Sequence, residues 1–163
     1  MTDTRWLDER EATAWRRLRQ LGGPLNAVLN RQLTKDSGLS MADYEVLVVL
    51  SEAPDLRLRA RELGRAIGWE KSRLSHHIGR MERRGLVSRE GCATDGRGAW
   101  VLMTAVGKDA IQTAAPGHVN AVRHYVIDAL TPEQLDQLAS IAAAVQGRLE
   151  PACEELEAET CEE

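Results

Sequence analysis

Residues 71–84, KSRLSHHIGRMERR, concentrate side chains able to meet a polyanion. Wound as a helix at about 100° per residue, they place Leu74, Ile78 and Met81 on one side. The opposite side collects Ser72, Ser75, His76, Gly79, Arg80 and Arg83, with Arg73 at its edge. That side holds short polar and cationic groups only, and Gly79 lets a partner approach the backbone. An arginine there can pair bidentately with a guanine edge. His77 lies beside the apolar side and reads as a packed or hydrogen-bonded residue rather than a base contact. A second concentration follows in the glycine-rich residues 91–98, where Asp95 and Arg97 sit near Cys92. An arginine on a protruding tip suits a narrow, electronegative minor groove, and Asp before Gly is suited to shaping a turn.

The elements that position these groups follow from apolar spacing and punctuation. Trp15, Leu18, Leu25, Val28, Leu29 and Leu33 predict a first helix over about residues 11–33, which Gly22-Gly23-Pro24 should kink or interrupt. Ser40 predicts the N-cap of a second helix with Asp43 at its third position, ended by Ala53-Pro54-Asp55. Residues 58–67 carry a short stripe, Leu63 and Ile67, before Gly68, and a brief turn leads into the cationic helix. Gly85 ends that helix. Residues 86–89 and 100–103 read as two antiparallel strands joined by the 91–98 tip. Helix, turn, helix and a two-stranded wing is the order of a winged helix-turn-helix, so the expected class is mainly α (α+β).

Thr104 predicts the start of a further helix to about residue 129, bent near Pro116-Gly117. Thr131-Pro132-Glu133-Gln134 combines a capping box with Pro at the first helical position. Leu135, Leu138, Ile141, Ala142, Val145 and Leu149 then form one stripe before Pro151. A small wing module cannot cover the terminal stripes alone, which points to a homodimer. The organisation expected is a single domain, 1–163, with helical dimerisation parts at 11–36 and 104–150 and a winged part at 40–103. Residues 151–163, rich in Glu, read as a frayed acidic tail.

The net charge of −4 conceals a polarised distribution. Residues 57–97 hold eleven basic groups against five acidic ones, a local balance of +6 that leaves −10 for the rest. The basic middle is where an anionic polymer would dock. With 163 residues, 43% hydrophobic and 28% charged, the chain suits one folded body. Residues 1–10 do not build the apolar stretch of a signal peptide, and no run approaches a membrane span, so no membrane partner and a cytoplasmic location are expected.

Enzyme chemistry has little to stand on: no GxSxG, Walker loop, HExxH or Rossmann glycine pattern occurs. No cofactor is expected. Cys92, His76, His77, His118 and His124 are ligand types for a metal sensor, but their spacing matches no zinc pattern. A redox switch at Cys92 has Arg89 and Arg97 nearby to lower its pKa. Cys153 and Cys161 stand among carboxylates, which disfavour a thiolate. A redox- or metal-responsive regulator through Cys92, and a helical interaction adaptor without DNA binding, are the alternatives.

The segments Gly38-Leu39-Ser40, Asp43-Tyr44-Glu45-Val46-Leu47, Ser72-Arg73-Leu74-Ser75-His76, Arg80-Met81-Glu82-Arg83-Arg84-Gly85-Leu86-Val87 and Asp95-Gly96-Arg97-Gly98 together closely resemble the MarR family of bacterial transcriptional regulators. The resemblance covers about residues 15–149. Ala115-Pro116-Gly117-His118, Val122-Arg123 and Leu130-Thr131 are similar to one branch of it. It implies a homodimer, more often a repressor than an activator, that reads a palindromic operator in double-stranded DNA. By the same resemblance, Ser72, Arg73, Ser75, His76 and Arg80 face the major groove, and Arg97, held by Asp95, reaches the minor groove. Lys71, Arg57, Arg59 and Arg89 read as phosphate contacts, while Arg83 and Arg84 read as solvated cations. The family further implies a small effector bound between the dimer and winged parts. Trp15, Arg19 and Tyr44 are candidates to line that site for an anionic or phenolic ligand.

Overall fold

The computed structural model describes residues 4–91 and 99–159, with side chains described as far as residue 149. Nine regular elements run α1 (Glu9–Ser37), α2 (Met41–Glu52), β1 (Arg57–Arg59), α3 (Ala60–Ile67), α4 (Lys71–Arg83), β2 (Val87–Glu90), β3 (Trp100–Met103), α5 (Ala105–Tyr125) and α6 (Pro132–Glu159) among the described residues. The chain forms two compact units, one through Ala121 and one from Val122 onward. The division falls in the last turns of α5. Residues 105–121 of α5 fall in the first unit.

In the first unit, Asp8 caps α1 by accepting from the Glu11 N–H, and the Glu11 carboxylate accepts from Asp8 N–H in return. Of the kink or interruption expected at Gly22-Gly23-Pro24, the interruption does not occur: α1 is the expected long first helix, 29 residues with Pro24 inside it. Residues 20–24 are all exposed, so water can reach the carbonyl that Pro24 leaves without a donor. Gly38, at φ 70°, ends the helix in the left-handed region. Ser40 caps α2 as expected, in a capping box completed by Asp43.

The two-stranded wing, β2 with β3, is extended by β1 into a three-stranded sheet of order β1-β3-β2. Residues 57–59 pair with β3 (Arg57 opposite Leu102, Arg59 opposite Trp100), and the helix expected from residue 58 begins only at Ala60. Three residues are too few to show a strand's alternation, and the pairing is long-range. On the other edge of β3, Val87 lies opposite Met103 and Glu90 opposite Trp100.

The core gathers Leu33, Leu39, Val46, Leu47, Leu50, Leu63, Leu74, Ile78, Met81, Val87 and Val101, with Ile111 and Ala114 of α5 closing it. Thr104 links sheet and helix: its hydroxyl donates to Gly85 O at 2.6 Å and accepts the Gly107 N–H at 3.0 Å. α5 passes the residue before β2 so closely that a Cβ on Gly107 would collide with Leu86 O. Pro116 is accommodated inside α5, and the helix ends at Tyr125, ahead of a short 3-10 turn over Ile127–Ala129.

The second unit is the end of α5, that turn and α6. Arg123 donates to Asp128 at 2.6 Å across the turn. Thr131 and Gln134 form the expected capping box at the start of α6. The frayed tail expected after residue 150 is instead helix as far as Glu159. Ala, Glu and Leu beyond Pro151 are strong helix formers, and Pro151 removes one donor only.

Candidate nucleic-acid interface

α4 packs Leu74, Ile78 and Met81 into the core, 4%, 1% and 0% exposed, as the spacing predicts. Burial of that stripe turns Lys71, Ser72, Arg73, Ser75, His76, Arg80 and Arg83 outward, and all are exposed. A continuous cationic and hydroxylated helix face is thus held on a rigid core, with the half-buried Gly79 in its middle.

The back of this face carries a polar network that sequence reading resolved only in part. Asp43, 3% exposed at the start of α2, accepts from Ser40 N–H at 2.9 Å and from Arg84 Nη1 at 2.7 Å. Arg84 also donates to Gly38 O at 2.8 Å. Arg84 is therefore a structural tie between the end of α4 and the α1–α2 junction, correcting its reading as a solvated cation. His77 is buried, as expected, with Nε2 3.1 Å from Asp43 Oδ1, though not aligned for a hydrogen bond. Its Nδ1 stands 2.7 Å from Arg80 Nη2. Guanidinium nitrogens only donate, so Nδ1 accepts and the ring proton sits on Nε2, toward Asp43.

Burial raises the Asp43 pKa, but hydrogen bonds from Ser40 and Arg84 outweigh it, and the carboxyl ends below its ordinary 3.8. Burial, helped by Arg80 and Arg73, holds the His77 pKa below 6.5 against the opposing pull of Asp43. Trp69 completes the group. Its ring meets His77 edge-on at 5.1 Å and carries the Arg73 guanidinium 4.3 Å from its centroid. A cleft of about 330 Å³ opens beside the network, lined by Thr34, Gly38, Ser40, Asp43, His77, Arg80 and Arg84. Ser40 with Asp43 was legible as a cap. The links from Asp43 to His77 and Arg84, and the support of Arg73 by Trp69, join residues too far apart in the chain for any local pattern to show.

The other expected contacts fall around the sheet. Arg89 is exposed at the edge of β2, donates to Ser75 O, and lies 3.9 Å from Glu82. Arg57 and Arg59 sit on β1 with guanidinium carbons 4.9 and 4.2 Å from the Trp100 ring centroid, and Arg57 lies 3.8 Å from Asp55. Arg57 and Arg59 are thus anchored on the sheet, whereas Arg89 reaches from β2 onto α4 beside Ser75 and Gly79. Asp95, Arg97 and Cys92 lie outside the described residues.

The suggested effector residues are not brought together within one chain. Trp15 and Arg19 are exposed on the first half of α1, whereas Tyr44 is 9% exposed in α2. Asn30 of α1 holds the Met41 N–H at 2.8 Å, and the fifteen residues from Trp15 to Asn30 span about 22 Å of helix. Tyr44 packs instead on His118 of α5, ring centroids 4.4 Å apart. Burial pushes the Tyr44 phenol up and the His118 imidazole down. Near it, Gln32 Oε1 and His118 Nδ1 are buried without a hydrogen-bond partner among the described residues. Also among the described residues, no group of three or more His, Cys, Asp or Glu could hold a metal ion, and no helix is long and apolar enough to cross a membrane.

Comparison with known proteins agrees with this architecture. Residues 37–98 match the model of the MarR family. A MarR family transcriptional regulator of Streptomyces coelicolor, Sco3205, solved in complex with DNA, is 40% identical over 93% of this chain and 94% of its own, with a TM-score of 0.87. A second from the same organism, AbsC, is 42% identical over 91% of this chain and 99% of its own, with a TM-score of 0.78. CouR of Rhodococcus jostii RHA1, solved bound to p-coumaroyl-CoA, shares the fold at 22% identity, over 78% of this chain and 87% of its own, with a TM-score of 0.67. With its winged helix-turn-helix, its outward cationic helix and two relatives of 40% and 42% identity along almost its whole length, the chain belongs to the MarR family of transcriptional regulators.

Proposed function

We infer that the protein acts as a homodimeric, sequence-specific DNA-binding repressor on a palindromic operator. The observation that carries this reading is the face of α4, where Ser72, Arg73, Ser75, His76 and Arg80 are exposed together while the opposite side is locked into the core. Two such helices, related by a twofold axis, would enter successive major grooves. Lys71 contacts phosphate, and Arg57, Arg59 and Arg89 provide backbone contacts from the sheet. Arg97, with Asp95, is assigned to the adjacent minor groove. The relative solved on DNA supports this use of the fold.

Dimerisation is assigned to the apolar residues left open on the long helices, among them Trp15, Leu18 and Leu21 of α1 and Leu138, Ile141 and Val145 of α6. Release by a small aromatic or anionic effector is supported by the fold-mate bound to p-coumaroyl-CoA. In this chain the Tyr44–His118 contact, with Gln32 Oε1 and His118 Nδ1 nearby and unpartnered among the described residues, is the place suited to a ligand that donates a hydrogen bond.

The test is binding of the purified protein to duplex DNA from its own promoter against a scrambled duplex, at two salt concentrations. A preference of at least about a thousandfold with a steep salt slope is expected. Arg73→Ala and Arg97→Ala should each weaken specific binding by about 1–3 kcal/mol. Lys71→Ala should weaken specific and non-specific binding alike and make the salt slope shallower by about one. No binding even at low salt would overturn the reading in favour of an interaction adaptor.

A further inference from the structure

Arg80 is the groove-facing cation whose direction is set from inside the protein. Its Nη2 donates to His77 Nδ1 at 2.7 Å, and His77 is only 5% exposed. His77 cannot drift, because Asp43 faces its Nε2 at 3.1 Å and Trp69 abuts its ring at 5.1 Å. Asp43 is in turn clamped by Ser40 and Arg84. The chain of contacts runs from the capping box of α2, through a buried imidazole, to a guanidinium on the exposed face of α4.

We propose that His77 is a positioning residue for DNA reading: its neutral imidazole presents Nδ1 as a fixed acceptor that aims Arg80, and so sets the base preference where Arg80 reads. This rests on the DNA-binding function inferred above. The chemistry is selective because Arg80 spends one Nη2 proton on the imidazole. The other Nη2 proton and a neighbouring N–H still form a two-donor edge of the kind that matches guanine O6 and N7. Protonation of His77 would place a proton on Nδ1, and two donors would then face each other. The guanidinium must leave, and the arginine keeps its charge but loses its direction.

The charged groups facing His77 are Asp43 from α2, with Arg84 beyond it, and Arg80 and Arg73 on its own helix. Burial and the two arginines favour the neutral ring, while Asp43 alone favours the charged one. The cleft bordering Asp43, His77 and Arg80 gives protons a route to the site. The positioning therefore holds at neutral pH and fails as the solution is acidified through the depressed His77 pKa.

The experiment is sequence selection from a random duplex library by the full-length chain, over a pH series falling from about pH 8. Wild type is compared with Arg80→Ala, His77→Asn and His77→Gln, with thermal unfolding confirming that each is folded. Arg80→Ala should erase preference at one symmetric pair of positions and thereby locate the base that Arg80 reads. Wild type should show that preference at about pH 8 and lose it by about tenfold or more once the solution is acid enough to protonate His77, below its depressed pKa. His77→Asn, whose Oδ1 can replace Nδ1 and does not titrate, should keep it throughout the series. His77→Gln, whose amide reaches toward Asp43 instead, should lack it throughout while retaining the rest of the motif.

Unchanged preference in folded His77→Gln would overturn the proposal, as would the same acid response in His77→Asn as in wild type. An unaltered motif in Arg80→Ala would do so too. Failure of wild type to enrich any motif is a different result, because it removes the DNA reading itself.

Discussion

α4 and α6 carry the same kind of apolar stripe and meet opposite fates. Leu74, Ile78 and Met81 of α4 are almost wholly buried, whereas Leu138, Ile141, Val145 and Leu149 of α6 stay 45%, 62%, 49% and 55% exposed. The difference lies in what surrounds each helix. α4 sits among α2, α3 and the sheet, close in sequence and joined by short turns, so its stripe is covered within one chain. Among the described residues of its own unit, α6 has beside it only the end of α5 and a 3-10 turn. The four large apolar residues left open on α6 are the face that the homodimer proposed above would bury. Amphipathicity thus states that a face will be buried without stating by whom.

The comparison can be broken most severely at the covered side. Leu63 is fully buried between α2 and α4, and Leu63→Ala should cost about 2–5 kcal/mol in urea unfolding, by lost transfer energy and the cavity left behind. At the open side, Ile141→Asp should leave the helical content of the chain unchanged. It should weaken self-association in sedimentation equilibrium by about 1.5–3 kcal/mol, roughly tenfold to a hundredfold in Kd. Association equal to wild type would show that α6 is not the covered face.

The polar back of α4 should respond to pH. The folded Asp43 pKa is below its unfolded value, so the unfolded chain takes up protons first on acidification. Its contribution is complete above the ordinary 3.8 and is lost as pH falls through the folded pKa. Asp43→Asn should therefore lose about 1–3 kcal/mol at neutral pH and show a flatter acid limb when stability is measured against pH. A parallel acid limb would mean that other carboxyls drive that loss. The smallest effect is expected at the cap of α6, where Thr131→Ala should cost about 1 kcal/mol. Hydrogen exchange should rise in the first turn of α6 alone.

Much of the fold was written locally. The capping boxes at Ser40 and Thr131, the stop at Gly68, the stripe of α4 and the hairpin after Gly85 depend on residues within a turn or two of each other. The errors have a common physical origin. Gly22-Gly23-Pro24 and Pro151 signal interruptions by local rules, yet each lies within a continuous helix. A proline inside a helix forfeits one backbone hydrogen bond, and a long helix can absorb that loss. β1 escaped notice because three residues gain strand character only by pairing with β3 forty residues later.

The sequence by itself determined which helix would carry the cationic face and which of its residues would point outward, because helical periodicity leaves that choice little freedom. It also determined that His77 would be packed. Only the tertiary structure decided what that burial accomplishes. Asp43, His77, Arg84 and Trp69 come from α2, from α4 and its end, and from the turn before it, and their joint hold on Arg73 and Arg80 exists only once those elements have docked. Local pattern records the period of a single element, whereas a guanidinium is aimed by groups distant in sequence that packing alone brings within hydrogen-bonding and ring-contact distance.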